Sequence, residues 1–245
     1  MSMSSRRRLS GSRLNNPVAN LAAALTVSRA TAESERAGLV ELYRDVYARE
    51  KDWLQEPGAI LPEACLADAS KDWLVARIDG AVAGALCVDY APPPVRYLLE
   101  QDLGVTGYPG TDALLAAGSA ADLGNFAIAR PYRRSPLVVL ALIREAIARA
   151  IARDTRHFLT VVFMGESTSP YAFHCNSIGF SPLGTRSTGP YHTSCQRSIL
   201  WLDIHAAYHR LRKDQPRLFS RLTSCWTPEM HARFGGAGSL TGCDR

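Results

Sequence analysis

The chain has 245 residues, 47 % of them apolar and 21 % charged, with a formal net charge of +5. That is ordinary for a globular protein of one domain with small appendages, and enough to bury a sizeable core. Four of the positive charges sit on Arg6, Arg7, Arg8 and Arg13, in a stretch without acids, so the basic balance is largely a property of the tail and does not argue for a nucleic-acid partner.

Cysteines at 65, 87, 175, 195, 225 and 243 show no C-x-x-C spacing, and the histidines do not fall at ligand spacing around them. They read as free thiols of a reducing, cytoplasmic compartment, with no metal site. No apolar run reaches the ~18 residues of a membrane-spanning helix. "PVANLAAALTV", after the arginines, imitates a signal peptide, but the apolar stretch is short, carries Asn20 and leads into a strand-like segment.

Residues 1–24 read as a disordered basic tail. "LTVSRAT" (25–31) reads as a first strand. Thr31 is placed to cap the helix that follows, with Glu33 and Glu35 in its first turn. Leu39, Leu42, Tyr43, Val46 and Tyr47 keep helical spacing to about Arg49. Trp53 and Leu54 follow in a loop or short helix. "WLVARIDGAVAGALCVDY" (73–90) is a hairpin, with Asp79-Gly80 as its two-residue turn. Residues 91–120 open on "APPP" and form a long irregular insertion, of a length common in lids and binding walls. A strand over 121–130 comes next. A long helix then begins at Pro136, with apolar residues at 140, 143, 147 and 151 and a polar side of Arg144, Glu145, Arg149 and Arg153. "HFLTVVFM" (157–164) has the near-continuous apolar character of a strand buried in a sheet. A short helix from Pro170 ends at Gly179. "RSILWLDI" (197–204) is a last strand, "HAAYHRLRKD" (205–214) a helix, and 233–245 a Gly-rich flexible tail.

The order of elements predicts an α/β fold, a mixed sheet flanked by helices, over residues 25–232. The junction "FAIARPYRRSPL" joins a strand to a helix N-terminus, a place where α/β proteins hold phosphates. It has neither the glycines of a dinucleotide site nor those of a P-loop.

The hairpin with its Asp-Gly turn, the strand "LGNFAIARPYRR", the helix directly after it, the next buried strand and the short helix ending "IGF" together resemble the Gcn5-related N-acetyltransferase (GNAT) superfamily over residues 25–203. "VSRATAESERAGLVELYRDVYAREKDWL", with Arg44, Val46 and Tyr47, is similar to the opening of the acyl-homoserine-lactone (autoinducer) synthases and N-acyl amino acid synthases, and Asp122 with "FAIA" fits the fourth strand of that branch. The resemblance implies a mostly antiparallel GNAT-like sheet. It implies an acyl group moved from acyl-ACP or acyl-CoA to the amine of an amino acid or similar small molecule, with no permanently bound cofactor.

It also implies the site. Asp122 is the candidate base or amine-positioning acid; a plain strand-start Asp is the alternative. Asn125 is placed to donate to substrate, unless it faces solvent. Backbone amides of Phe126, Ala127, Ile128 and Ala129 would hold the acyl carbonyl and the pantetheine. Arg133 and Arg134 would pair with the donor's phosphate, and Ser135 would cap the helix or donate to phosphate. Two departures stand out. The usual Arg/Gln-x-x-Gly-x-Gly/Ala loop has lost its glycines, and the usual acid, a Tyr four residues before the "GF" glycine, is Cys175. His174 beside it, or Tyr171 one turn earlier, is left as the candidate acid, although both read more readily as packing or surface residues. His192 borders the expected acceptor side. Two other readings remain open: an acetyl-CoA-dependent small-molecule or protein N-acetyltransferase, and a non-catalytic domain binding an acyl carrier or another protein. The apolar character of 91–120 favours a long acyl chain.

Overall fold

The computed structural model describes residues 24–54, 61–90, 120–164, 170–186 and 196–235. Strand β1 (Leu25–Arg29) leads into α1 (Glu33–Tyr43), which continues as a π-helical stretch, Arg44–Glu50. Thr31 does not cap α1 as the sequence predicts. Ala32 holds the cap position, and the Glu35 carboxylate accepts the amides of Thr31 (2.9 Å) and Ala32 (3.2 Å). Those amides, chiefly that of Thr31, hold the Glu35 pKa below its ordinary value.

The predicted hairpin forms from β2 (Lys71–Ile78) and β3 (Ala81–Asp89). Asp79 (φ 50°) and Gly80 (φ 82°) both take left-handed conformations, the requirement of a tight hairpin turn whose twist matches its strands. Then follow β4 (Ala120–Ile128), a 3-10 turn (Arg130–Tyr132), α2 (Pro136–Ala152), β5 (His157–Phe163), a π-turn (Phe173–Ile178), β6 (Ser181–Arg186) and β7 (Arg197–Asp203). Three helices follow: α3 (Ile204–Asp214), α4 (Pro216–Leu222) and α5 (Pro228–Gly235). The last two lie beyond the elements read from the sequence.

The seven strands form one sheet in the order β1-β2-β3-β4-β5-β7-β6. Every neighbouring pair is antiparallel except β4–β5. The crossover between those two is α2, as a parallel pair requires.

Side-chain alternation divides the core between the two faces of the sheet. On one face Trp73, Val75, Ala85, Cys87 and Ala127 meet Leu39, Tyr43, Val46 and Tyr47 of α1 and its extension. On the other, Leu74, Ala76, Leu86, Val88, Ala121 and Ile128 meet Val138, Leu142, Ala146 and Ile147 of α2. Here α3 and α5 close the far side around Tyr208, which stacks on Trp226 (5.7 Å between ring centroids) and Phe234 (4.5 Å) and lies edge-on to Phe219 (5.0 Å). Cys65, Cys87, Cys175 and Cys225 are free thiols. Among the described residues no helix is long and apolar enough to cross a membrane. Residues 1–23, 91–119 and 236–245, the bulk of the predicted tails and insertion, and His192 lie outside the described residues; the expected flexible tail from 233 begins later, because α5 runs to Gly235 with Phe234 buried against Tyr208.

Candidate functional site: a fork between β4 and β5

The parallel pair β4–β5 is short. Ala120, Asp122 and the residue between them pair with His157, Leu159 and the residue between them; beyond that point no pairing joins β4 to β5. At the crotch the buried Thr160 hydroxyl donates to the Leu123 carbonyl (2.8 Å). Above it β4 carries a bulge. Ala85 pairs with Ala127 and Cys87 with Gly124, so two β4 residues, Asn125 and Phe126, stand opposite Leu86. Asn125 takes the left-handed conformation (φ 51°), which Asn tolerates better than most side chains. An extra residue in one strand bends it and ends regular pairing, which turns β4 away from β5.

The bulge is held from the α1 face. The Tyr43 hydroxyl donates to the Asn125 carbonyl (2.5 Å) and the Tyr47 hydroxyl to the Phe126 carbonyl (2.7 Å). The backbone of Asn125, the residue expected to donate to substrate, thus helps to shape the bulge.

The four expected amides are not equivalent. Ala129 donates to the Ala83 carbonyl (2.9 Å), so its amide is spent inside the sheet. Alternation along a strand turns Ala127 the same way, towards β3, and aims Phe126 and Ile128 towards the fork. Only the latter two amides face the space where β5 has parted.

Asp122 is the last β4 residue paired with β5, opposite Leu159. It shares the α1 face with Gly124, Cys87 and Asp89, its register partner on β3. The Asp89 carboxylate is paired with Lys71 Nζ (3.3 Å). Neither Thr160 nor Asp89 was singled out from the sequence.

The turn after β4 differs from a glycine cradle. Tyr132 donates its amide to the Ala129 carbonyl (2.9 Å), and Ser135 donates its amide to that of Tyr132 (3.2 Å). The Ser135 hydroxyl caps α2, accepting from the Leu137 amide (3.3 Å). Pro131 and Pro136 have no amide proton. The Tyr132, Ser135 and Leu137 amides are thus engaged within the turn itself.

Of the predicted arginines, Arg133 is committed elsewhere. Its Nε donates to the Ile128 carbonyl (2.8 Å), and its Nη1 pairs with the Glu50 carboxylate at the end of the α1 extension. That hydrogen bond is the main reason the Glu50 pKa lies below its ordinary value. Arg134 is exposed and, among the described residues, unpaired; Arg130, one turn earlier, is also exposed and feels the Glu50 carboxylate through charge alone. Arg130 and Arg134 are thus exposed cations at the mouth of α2, with Arg133 held between them by Ile128 and Glu50.

His174, the expected acid, sits within the π-turn Phe173–Ile178. Its Nδ1 lies 2.9 Å from the Pro170 carbonyl, its ring is edge-on to Phe173 (5.7 Å) and Phe180 (5.2 Å), and burial lowers its pKa. It packs the π-turn that ends at Gly179 (φ 100°). Beside it, burial pushes the Cys175 thiol up while a hydrogen bond from Tyr171 opposes that shift. Among the described residues no cluster of His, Cys, Asp and Glu side chains is placed to hold a metal ion.

No protein-family model matches the sequence, and no curated protein does. The structure, in contrast, matches solved ones. FeeM, an N-acyl amino acid synthase from uncultured soil microbes, superposes with a TM-score of 0.58 at 14 % identity, over 77 % of this chain and 96 % of its own. A protein from Salmonella typhimurium solved with its cofactor acetyl-CoA gives 0.51 at 12 % identity, over 74 % of this chain and 94 % of its own. An aminoglycoside 6'-acetyltransferase type Ii gives 0.51 at 11 % identity, over 73 % of this chain and 97 % of its own. The fold is therefore that of the GNAT-type acyltransferases, as the sequence resemblance implies.

Proposed function

We propose that this chain is an N-acyltransferase whose fork receives the pantetheine thioester of an acyl donor and whose α1 face receives an amine. The observation that carries this reading is the fork itself. Two strands part at a hydrogen-bonded crotch and a β-bulge, leaving the Phe126 and Ile128 amides facing the gap. A carbonyl that gains negative charge as it is attacked is stabilised by such preoriented donors.

In the reaction the acceptor nitrogen attacks the thioester carbon. A C–N bond forms, the C–S bond breaks, and the electron pair leaves on sulfur. The amine's proton passes to Asp122, at the crotch on the α1 face, and finally to the thiolate. A thiolate near its solution pKa is a tolerable leaving group, so the reaction does not depend on a tyrosine at position 175. Tyr171, hydrogen-bonded to Cys175, is the hydroxyl available on that side.

Arg130 and Arg134 favour a donor with a modest anion. A turn with two prolines and with its Tyr132, Ser135 and Leu137 amides engaged suits the single phosphodiester of carrier-bound phosphopantetheine better than a pyrophosphate pressed against bare backbone, which supports acyl-ACP over acyl-CoA. The likeness to an N-acyl amino acid synthase supports an amino acid or related small amine as acceptor. The test is to incubate the protein with acyl-ACP and acyl-CoA donors and pooled amino acids, following free thiol and product mass. Thiol release coupled to amide product, faster from acyl-ACP, is the expected result; no release from any donor would remove the enzymatic reading.

A further inference from the structure

One of the two amides that face the fork belongs to a peptide held from behind by a tyrosine. A trans peptide is planar and sets its C=O and N–H on opposite sides. The Asn125 carbonyl and the Phe126 amide are therefore two ends of one rigid group. The oxygen end accepts the Tyr43 hydroxyl at 2.5 Å, so the amide end points away from Tyr43. Along the rest of β4 the ladder to β3 fixes such groups. The bulge sets both Asn125 and Phe126 opposite the single residue Leu86, where regular pairing is interrupted, and Asn125 stands at φ 51°. At this point the Tyr43 hydrogen bond sets the rotation of the peptide.

Tyr43 is itself fixed. It is the last residue of α1 and is buried, with its ring tilted against Tyr47 (5.4 Å between centroids) and edge-on to Trp73 of β2 (6.2 Å). Four residues on, in the π-helical extension, the Tyr47 hydroxyl serves the next peptide. Its acceptor is the Phe126 carbonyl, whose planar partner is the Ala127 amide, turned towards β3. The two tyrosines thus address different amides. Of the two, only Tyr43 is coupled to an amide that faces the fork.

We infer that Tyr43 is a positioning residue for acyl transfer: its hydroxyl sets the direction of the Phe126 amide and strengthens it as a donor to the thioester oxygen. This deepens, and rests on, the acyltransferase reading above. Hydrogen bonds in a chain polarise one another. Here the chain runs from the Tyr43 O–H through the Asn125 carbonyl and the Phe126 N–H to the thioester oxygen. Its effect grows as the attacked carbonyl gains negative charge, so it falls on turnover and not on donor binding.

The experiment replaces Tyr43 in two ways. Tyr43→Phe keeps the ring and removes the hydroxyl. A tyrosine fluorinated beside the hydroxyl keeps the shape and makes the O–H a stronger donor. Turnover is followed by thiol release from acyl-pantetheine donors, and the Phe126 amide by NMR, with and without a non-hydrolysable acyl-pantetheine analogue. In Tyr43→Phe kcat falls about tenfold, short of the roughly hundredfold or more that follows outright loss of an oxyanion donor, while donor KM is retained. The Phe126 amide proton moves upfield, and its shift on binding the analogue shrinks. The fluorinated tyrosine moves the same signal downfield and keeps kcat at or above the wild-type value, which a residue that only fills space would not do. Tyr43→Phe with native circular dichroism, wild-type kcat and an unmoved Phe126 amide would overturn the inference. If Tyr43→Phe does not fold, the fluorinated variant decides, and an unmoved Phe126 signal there overturns it equally. Wild-type protein that shows the Tyr43-dependent signal but releases no thiol from any donor would remove the acyltransferase reading, and with it the role in turnover, while leaving the coupling of Tyr43 to that amide established.

Discussion

Arg133 and Arg134 are neighbours of the same residue type, yet their surroundings give them different tasks. Arg133 ties the end of the α1 extension, through Glu50, to the Ile128 carbonyl. Arg134 has no such commitment among the described residues. Arg134→Ala is expected to raise the donor KM several-fold with kcat retained, more so at low ionic strength, since an exposed cation acts through screened attraction. Arg133→Ala should instead lower stability by ~1 kcal/mol, the usual worth of a half-exposed ion pair with a hydrogen bond; denaturant unfolding separates the two effects. Asp122→Asn keeps the shape of the crotch and removes the base, so kcat should fall by about a hundredfold to ten-thousandfold with little change in donor KM. A kcat within twofold of wild type would return Asp122 to the role of a strand residue.

At the scale of elements, the fork depends on one side chain at its crotch. Thr160→Val removes the hydroxyl and leaves the half-buried Leu123 carbonyl without its donor, at a cost of ~1 kcal/mol. Thermal unfolding should show that loss, and the donor KM should rise with it as β4 and β5 lose their reference point. These features also mark the limit of what the sequence discloses. The hairpin at Asp79-Gly80, α2 from Pro136, and the helix end at Gly179 are legible because each is specified by residues within a turn or two. The bulge is only half legible: Asn125 tolerates a left-handed backbone, but nothing local says that Tyr43, 82 residues earlier, will hold its carbonyl. Arg133 reads as a phosphate ligand from its position alone, and nothing local says that it also pairs with Glu50, 83 residues away. Helices α4 and α5 are short, and their faces become interpretable only around Tyr208, which they enclose.

For the whole molecule, one acid-sensitive joint links the sheet to the C-terminal helices. Asp203 ends β7 and caps α3, accepting from the Ala206 amide (3.0 Å), with His157 Nε2 at 3.7 Å and Arg156 at 3.3 Å. Burial alone would raise its pKa, but the hydrogen bonds from His157 and Ala206 and the nearby Arg156 outweigh it, and the pKa falls well below the usual carboxylate range. A carboxylate depressed in the folded state stabilises the fold above its unfolded pKa, near 4, and loses that contribution as pH falls towards the folded value. Stability should therefore decline below about pH 4, and Asp203→Asn should flatten the decline while lowering stability at neutral pH. Urea unfolding across acidic pH tests this; an unchanged acid slope in the variant would contradict it.

The central claim is that the fork, with its two inward amides, is where the thioester binds. Residue-resolved hydrogen exchange with a non-hydrolysable acyl-pantetheine analogue tests it most directly. The account predicts slowed exchange at Phe126 and Ile128, with Ala127 and Ala129, already bonded within the sheet, unchanged. Protection confined to other parts of the chain, with Phe126 and Ile128 unaltered at saturating analogue, would contradict it.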